Sequence, residues 1–271
     1  FIMKKLLGIV VLGLLLNASS FAEESDLNIS VKKAFEETDI IKIDENYSIK
    51  CEADADDYNM IFSSKVVNSK VLRSEGVFNF GDDGSMYLKI DAKINSNGKL
   101  TKGKVKINYS PDMDKDFKKE FKNFEPFFKE MVSDSFLSFS IYGKTLLPIK
   151  IEDKKQSKKI LNMLKKLFAT DKELKKFSQG LKLYSYDHYL GTTLIDEENF
   201  YVVKTFISFE SPNEEINEFL EEMEESEGLV YTFIHINSGF AIQAQQEFDT
   251  ICTINLQGKE LIKVDSSDLA F

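Results

Sequence analysis

MYLKIDAKI, residues 86–94, alternates apolar and polar side chains well, which is typical of a strand with one buried face. A second alternating stretch, residues 71–80, precedes it across the sequence Gly-Asp-Asp-Gly at residues 81–84, which favours a tight hairpin turn. Residues 104–109 alternate again and carry lysines on the polar face. These three stretches predict an antiparallel meander with one face towards water.

Strands are also expected on both sides of this meander. Residues 47–53 and 59–64 alternate around an aspartate-rich turn, and residues 181–190 and 199–210 form a further pair. The C-terminal part of the chain predicts four more strands. They lie at residues 229–236, 240–246, 247–256 and 260–264.

Helical periodicity separates the strand pairs. An aromatic stripe recurs at spacings of four and three residues, which places its members on one face of a helix. It consists of Phe117, Phe121, Phe124, Phe128 and Met131. Further amphipathic helices are expected over residues 154–168, 170–180 and 212–228, the last two with capping boxes. Helices that alternate with strand pairs indicate antiparallel sheet.

We therefore predict an α+β fold, in which a curved antiparallel β-sheet of meander and hairpins packs against three to four amphipathic helices. Residues 46–271 are expected to form a single α+β domain, after an irregular acidic segment at residues 23–45. An alternative division has two similar sub-domains that meet near residues 150–180. Each would contain a helix followed by two strands, because a glycine ends each helix and a strand pair follows.

Residues 1–22 have the three-part pattern of a secretory signal peptide. Met3 is followed by two lysines, an apolar run over residues 6–16, and small residues that lead to a cleavage site after Ala22. This run is about half the length that spans a bilayer, and no later stretch approaches roughly 18 consecutive apolar residues. We expect an exported bacterial protein, periplasmic or secreted, without a transmembrane segment in the mature chain.

The charge of the chain bears on its partners. The formal net charge of −10 argues against nucleic acid, because an acidic surface repels a phosphate backbone. Charge is concentrated in two predicted helical segments, with nine lysines in residues 154–176 and eight glutamates in residues 214–227. These faces could be solvated, pack against each other, pair across a homodimer, or bind anionic lipid or polymer through the lysines.

The chain has only two cysteines, Cys51 and Cys252, and both lie in the apolar phase of an alternating stretch. An even number of cysteines favours a bridge in an oxidising compartment. We predict a disulfide that places the first and last strands side by side, with two buried free thiols as the alternative. A reactive thiol would need a polarising neighbour, which neither segment supplies.

No metal site or cofactor is predicted. The two histidines, His188 and His235, are too few for a three-histidine zinc site. An Asp-x-Asp-x-Asp run at residues 112–116 resembles the start of a calcium loop, but Phe117 stands where that loop requires glycine. We interpret this run as the acidic first turn of a helix, which the helix dipole favours.

His188, His235 and Asp187 are the candidate catalytic residues. Either histidine could act with a carboxylate, and Ser238 could complete a serine–histidine–acid triad with one of them. No nucleophile-elbow sequence accompanies them. The sequence therefore leaves hydrolysis as a hypothesis without a motif to support it.

Candidate ligand-binding residues come from two aromatic groups. A curved sheet against an aromatic helix can leave an apolar cleft, and a tyrosine pair beside His188 could hold a ligand or be ordinary sheet packing. The residues concerned are Phe121, Phe124 and Phe128 of the aromatic stripe, together with Tyr184 and Tyr186.

Three functions follow from these features. The leading prediction is an exported, non-enzymatic binding or accessory protein, whose partner is a small apolar or amphipathic ligand or an envelope protein. The first alternative is a secreted hydrolase that uses His188 or His235 with a carboxylate. The second alternative is an envelope structural or assembly protein that acts through its charged helices.

Overall fold

The computed structural model of the chain describes about two thirds of it in detail and is mostly β. It describes residues 27–39, 41–55, 58–94, 100, 103–119, 121–122, 125, 129, 145–152, 154–155, 157–158, 161–162, 165, 180–210, 212, 230–244 and 249–269. The strands are β1 (Lys32–Lys33), β2 (Tyr47–Ala55), β3 (Tyr58–Val67), β4 (Val71–Asn79), β5 (Ser85–Lys93), β6 (Lys104–Tyr109), β7 (Ile151–Glu152), β8 (Lys182–Ile195), β9 (Glu198–Glu210), β10 (Val230–His235), β11 (Ala241–Ala244), β12 (Asp249–Leu256) and β13 (Lys259–Asp265).

The larger sheet has seven antiparallel strands in the order β13–β12–β2–β3–β4–β5–β6. Strands β2 to β6 follow one another as a meander, because each is joined to the next by a short connection and pairs with it. β12 returns from the far end of the chain and pairs with β2. The predicted antiparallel meander is confirmed. β12 and β13, from the C-terminal part of the chain, extend its sheet beyond β2.

The smaller sheet has six strands in the order β1–β8–β9–β10–β11, with β7 also paired to β8. Its centre is a long hairpin, in which β8 and β9 have 14 and 13 residues. The hairpin turns at Asp196 and Glu197, both of which have positive φ, as a two-residue turn with the twist of the flanking strands requires. β10 and β11 are buried on both faces.

The two sheets share one hydrophobic core. Apolar residues from the inner face of the larger sheet pack with those from one face of the smaller sheet, among them Phe62 and Leu72 with Phe200 and Phe233. The other face of the smaller sheet has its own cluster, which includes Ile41, Leu146, Tyr189, Val203, Ile234 and Ala241. The smaller sheet therefore has packed clusters on both faces, whereas in the described part of the chain the outer face of the larger sheet carries exposed side chains.

The prediction of an α+β fold with three to four helices is wrong. The described residues are mostly strand, form two antiparallel sheets rather than one, and contain only one helix of seven or more residues. The physical reason is pairing between strands that are far apart in the sequence. β12 joins the first sheet beside β2, and β8 to β11 contain enough apolar residues to form a second sheet. The segments expected as helices at residues 170–180 and 212–228 lie almost entirely outside the described residues.

A helix begins after Asp114, whose Oδ1 accepts hydrogen bonds from the backbone N–H groups of Asp116 and Phe117 at 2.9 and 2.8 Å. The acidic run at residues 112–116 thus leads into a helix and caps its first turn, because the cap satisfies N–H groups that have no partner within the helix.

The predicted signal peptide, residues 1–22, lies outside the described residues and stays a prediction. The division into one domain or two stays a prediction as well.

Candidate functional site

The outer face of the larger sheet carries three apolar side chains in one cross-strand line. Ile61, Val77 and Tyr87 lie directly opposite one another on β3, β4 and β5, and we call them the apolar row. Ile61 is 41% exposed and Tyr87 is 45% exposed. The outward neighbours along these strands are polar or charged, with Ser63, Glu75 and Lys89 on one side, and the next apolar outward pair, Val67 and Val71, lies at the far end of β3 and β4. Such a group of exposed apolar side chains is a common mark of a binding surface.

A second line of outward side chains runs beside the apolar row, two residues further along each strand. Its members pair in register across β2 to β6 and include three lysines and one acid, and we call it the lysine row. It consists of Lys50, Ser63, Glu75, Lys89 and Lys106. Because a strand rises about 3.4 Å per residue, the two rows are roughly 7 Å apart.

Residues of these two rows line an open groove of about 400 Å³. Its walls include the apolar row and most of the lysine row, with Asn108 at the edge strand β6. Ligand sites in proteins combine apolar walls with a few polar groups, and this groove has that composition. It is a shallow concavity on a sheet rather than a cleft between sheet and helix.

Ion pairs hold the charged side chains of this face in place. The Lys89 ammonium lies 3.1 Å from a carboxylate oxygen of Glu75, directly across the strand pair β4–β5. Lys50 donates to Glu52 on the same strand, and this hydrogen bond lowers the pKa of the Glu52 carboxyl. All four side chains are at least one third exposed, so the pairs are screened by water and fix orientation more than they add stability.

His235, one of the predicted catalytic residues, is completely buried at the end of β10. Its Nδ1 lies 2.8 Å from Ser238 Oγ, and its Nε2 lies 3.0 Å from Glu198 Oε2. Ser238 Oγ also accepts a hydrogen bond of 3.1 Å from the backbone N–H of Phe240. The structure therefore brings together a serine, a histidine and an acid, and we call these three residues the His235 cluster.

The His235 cluster has the residue types of a catalytic triad but lacks access to its hydroxyl. Ser238 is completely buried, and its carbonyl oxygen accepts a 3.0 Å hydrogen bond from the N–H of Asp44. The next residue, Gly239, has φ +72°, and a Cβ there would lie 2.4 Å from the carbonyl oxygen of Lys42. The backbone of residues 42–44 thus covers the turn. The arrangement satisfies buried polar groups and joins the β10–β11 turn to β9.

His188 and Asp187 lie on the two faces of β8. His188 is half-buried and opposite Lys204 on β9. Asp187 accepts a hydrogen bond of 2.8 Å from the Thr205 hydroxyl and lines a second cavity of about 240 Å³, together with apolar residues such as Tyr189. The structure does not bring His188 and Asp187 together on one face. Their catalytic role stays a prediction.

The predicted aromatic ligand residues have different surroundings. The Phe121 side chain is completely buried, with its ring 6.4 Å from that of Phe117 and 6.1 Å from that of Tyr109. Phe124 and Phe128 lie outside the described residues. An apolar cleft lined by all three therefore stays a prediction, and the described part of it is filled core.

Tyr184 and Tyr186 stack with their ring centroids 6.5 Å apart. Removal from water, and then the 3.2 Å hydrogen bond that the Tyr184 hydroxyl donates to Glu210, raise the pKa of the phenol. The Lys150 ammonium lies 4.4 Å from the centre of the Tyr186 ring. The pair is thus occupied by contacts with charged side chains of the protein itself, and its role in ligand binding stays a prediction.

Cys51 and Cys252 form the predicted disulfide, with an S–S distance of 2.03 Å. Both are completely buried, on the core side of the larger sheet. A disulfide suggests an oxidising environment, as an exported protein meets.

In the part of the chain that the structure describes, no helix is long and apolar enough to cross a membrane.

Comparison with known proteins finds no match: no protein-family model, no curated protein and no solved structure is significantly similar to this chain. The function must therefore be argued from the residues themselves.

The groove residues Ile61, Val77 and Tyr87 were missed by the sequence analysis. Their signal is present in the sequence, because each is an apolar residue in the polar phase of an alternating strand. Three such positions become one surface only through the register of three strands. Sequence spacing does not give that register.

Proposed function

We propose that the protein is an exported, non-enzymatic binding protein that holds a small amphipathic ligand in the groove of the larger sheet. The observation that carries this proposal is the apolar row. Ile61, Val77 and Tyr87 form a continuous apolar strip across three strands, with polar or charged outward residues next to it along each strand. Leaving such side chains in water has a cost of about 25 cal/mol per Å² of apolar surface, which a bound ligand removes.

The placement of the candidate catalytic residues supports binding rather than hydrolysis. The Ser238 hydroxyl, which would have to attack a substrate, is buried under residues 42–44 and already accepts a hydrogen bond from the backbone N–H of Phe240. A nucleophile needs room for a reacting carbon about 3 Å away, and the buried turn offers none. Neither the groove nor the second cavity is lined by a member of the His235 cluster.

Export is supported by the buried disulfide and by the signal-peptide pattern. Cytosolic proteins rarely keep a structural disulfide, because the compartment is reducing. The proposed site of action is therefore the periplasm or the outside of a bacterial cell.

The proposal is tested with phenylnaphthylamine, a neutral amphipathic dye whose fluorescence rises in apolar surroundings. Ile61→Ser combined with Tyr87→Ser should weaken dye binding by about tenfold or more, because it removes most of the exposed apolar row. Leu194→Ser is the matched control, since Leu194 is also an exposed apolar strand residue, 64% exposed, but lies on β8 of the other sheet.

Two results would count against the proposal. One is a dye affinity that Ile61→Ser and Tyr87→Ser leave unchanged. The other is an equal loss in Leu194→Ser, which would indicate nonspecific adsorption. Circular dichroism of each variant shows that the sheets are intact, which is expected for substitutions at exposed positions.

A further inference from the structure

We infer that the ligand of the groove carries an anionic head group, which lies on the lysine row while its apolar body covers the apolar row. This inference rests on the proposed function and adds the chemical class of the ligand. It is carried by the difference between the two flanks of the apolar row. A ligand with one charged end can satisfy only one of them.

The lysine row forms the first flank. Lys50, Lys89 and Lys106 face outward from β2, β5 and β6, with Glu75 as the one acid among them. When Glu52, the partner of Lys50, is counted as well, this flank still has three lysines against two acids, in a chain whose formal net charge is −10. Lys263 extends the row on the far side of β12, because it lies opposite Thr253, the partner of Lys50.

The second flank contains no cation at the matching positions of β2 to β5. The residues two positions away from the apolar row on that side pair in register as one acid and three neutral side chains. They are Asp54, Asn59, Asn79 and Ser85. An anionic head group is therefore repelled or left without a partner on this side and attracted on the other, which fixes the direction of the ligand.

The distance between the rows matches a small amphipath. The apolar row spans β3 to β5, about 10 Å, because neighbouring strands lie about 4.8 Å apart. The lysine row is roughly 7 Å from it along the strands, within reach of the flexible lysine side chains. The ammonium groups of Lys50 and Lys89 are exposed to water, so each contributes a modest, salt-dependent attraction to a carboxylate, sulfonate or phosphate.

A pair of dyes tests the inference. Anilinonaphthalene sulfonate has the aromatic body of phenylnaphthylamine and adds one negative charge, so the ratio of the two affinities reports the preference for an anion. Lys50→Met with Lys89→Met should lower the ratio of sulfonate to neutral-dye affinity by roughly threefold to tenfold at low salt. Glu75→Gln should raise the same ratio, because it removes the one acid of the lysine row.

The control is Lys182→Met with Lys259→Met, which removes two exposed lysines that lie outside the groove. It should leave the ratio unchanged. An unchanged ratio in the Lys50 and Lys89 variant, or a lower ratio in Glu75→Gln, would overturn the inference. If the neutral dye still requires Ile61 and Tyr87 in that case, the proposed function stands and only the anionic head group is refuted. If neither dye requires the apolar row, both fail.

Discussion

Cys51 lies directly opposite Cys252 in the antiparallel register of β2 and β12, and a disulfide joins them under the larger sheet. The two residues are 201 positions apart in the sequence, so the bridge links the two ends of the described fold. The outward neighbours of Cys51 are Lys50 and Glu52, which belong to the open face of the same sheet. The disulfide thus fixes, from the core side, the strand at one end of the groove.

Removal of this disulfide should destabilise the protein strongly. Cys51→Ala combined with Cys252→Ala should lower the free energy of unfolding by about 2–5 kcal/mol, because an uncrosslinked chain gains loop entropy when it unfolds. Urea unfolding of the exported protein measures the change. A titration of free thiols in the unreduced, denatured wild-type protein should find none. A protein with two free thiols and unchanged stability in the double variant would contradict the assignment.

The Arg73–Asp91 pair should contribute stability that depends on pH. Arg73 donates from Nε to Asp91 Oδ1 at 2.7 Å across β4 and β5, and this hydrogen bond lowers the pKa of the Asp91 carboxyl below its ordinary value of 3.8. The contribution is therefore complete at pH values above 3.8 and is lost as the pH falls through the lowered pKa of the folded protein.

We expect Asp91→Asn to be less stable than the wild type near neutral pH, with a difference that shrinks to nothing in strong acid. Unfolding midpoints of both proteins, measured at several pH values between neutral and strongly acidic, give the difference in stability. In an Arg73→Gln background the same substitution should have little effect at any pH, since the partner is already absent. A difference that persists unchanged in strong acid would show that the ion pair is not its source.

The His235 cluster should matter for stability rather than for turnover. Ser238→Ala removes a partner of His235 and the acceptor for the Phe240 N–H, and it leaves both groups buried. Leaving such groups unpaired costs about 1–3 kcal/mol. Chemical unfolding should show this loss, and Ser63→Ala, at an exposed serine of β3, should show close to none. Hydrolysis of a model ester that depends on Ser238 would refute this interpretation.

The local features of the sequence predicted the local features of the fold. The meander was foreseen because most of β4 and β5 alternates, with Leu72 and Ile90 inward and Arg73 and Lys89 outward. The turn between them is a 3₁₀ turn at Gly81–Asp83, where Gly81 takes a positive φ of 60° that favours glycine. The disulfide was foreseen from the inward phase of both cysteines.

The arrangement of the strands could not be foreseen in the same way. The pairing of β2 with β12 joins residues about 200 positions apart, and only the predicted disulfide pointed to it, because alternation does not identify partners. β10 and β11 are buried on both faces, so their sequences lack the alternation that marks which side meets the core. We therefore predicted one sheet, whereas the structure has two. The groove was missed for the same reason, because Ile61, Val77 and Tyr87 meet only through strand register.

The most direct test of the account is to map where a small amphipath binds. Octyl glucoside, titrated below its critical micelle concentration into isotope-labelled protein, can be followed by backbone amide chemical shifts. We expect the largest shifts in residues 61–63, 75–77 and 87–89, and their loss in Ile61→Ser. Shifts concentrated instead around Asp187, Tyr189 and Val203 of the second cavity, or no saturable shifts, would contradict a binding groove on the larger sheet.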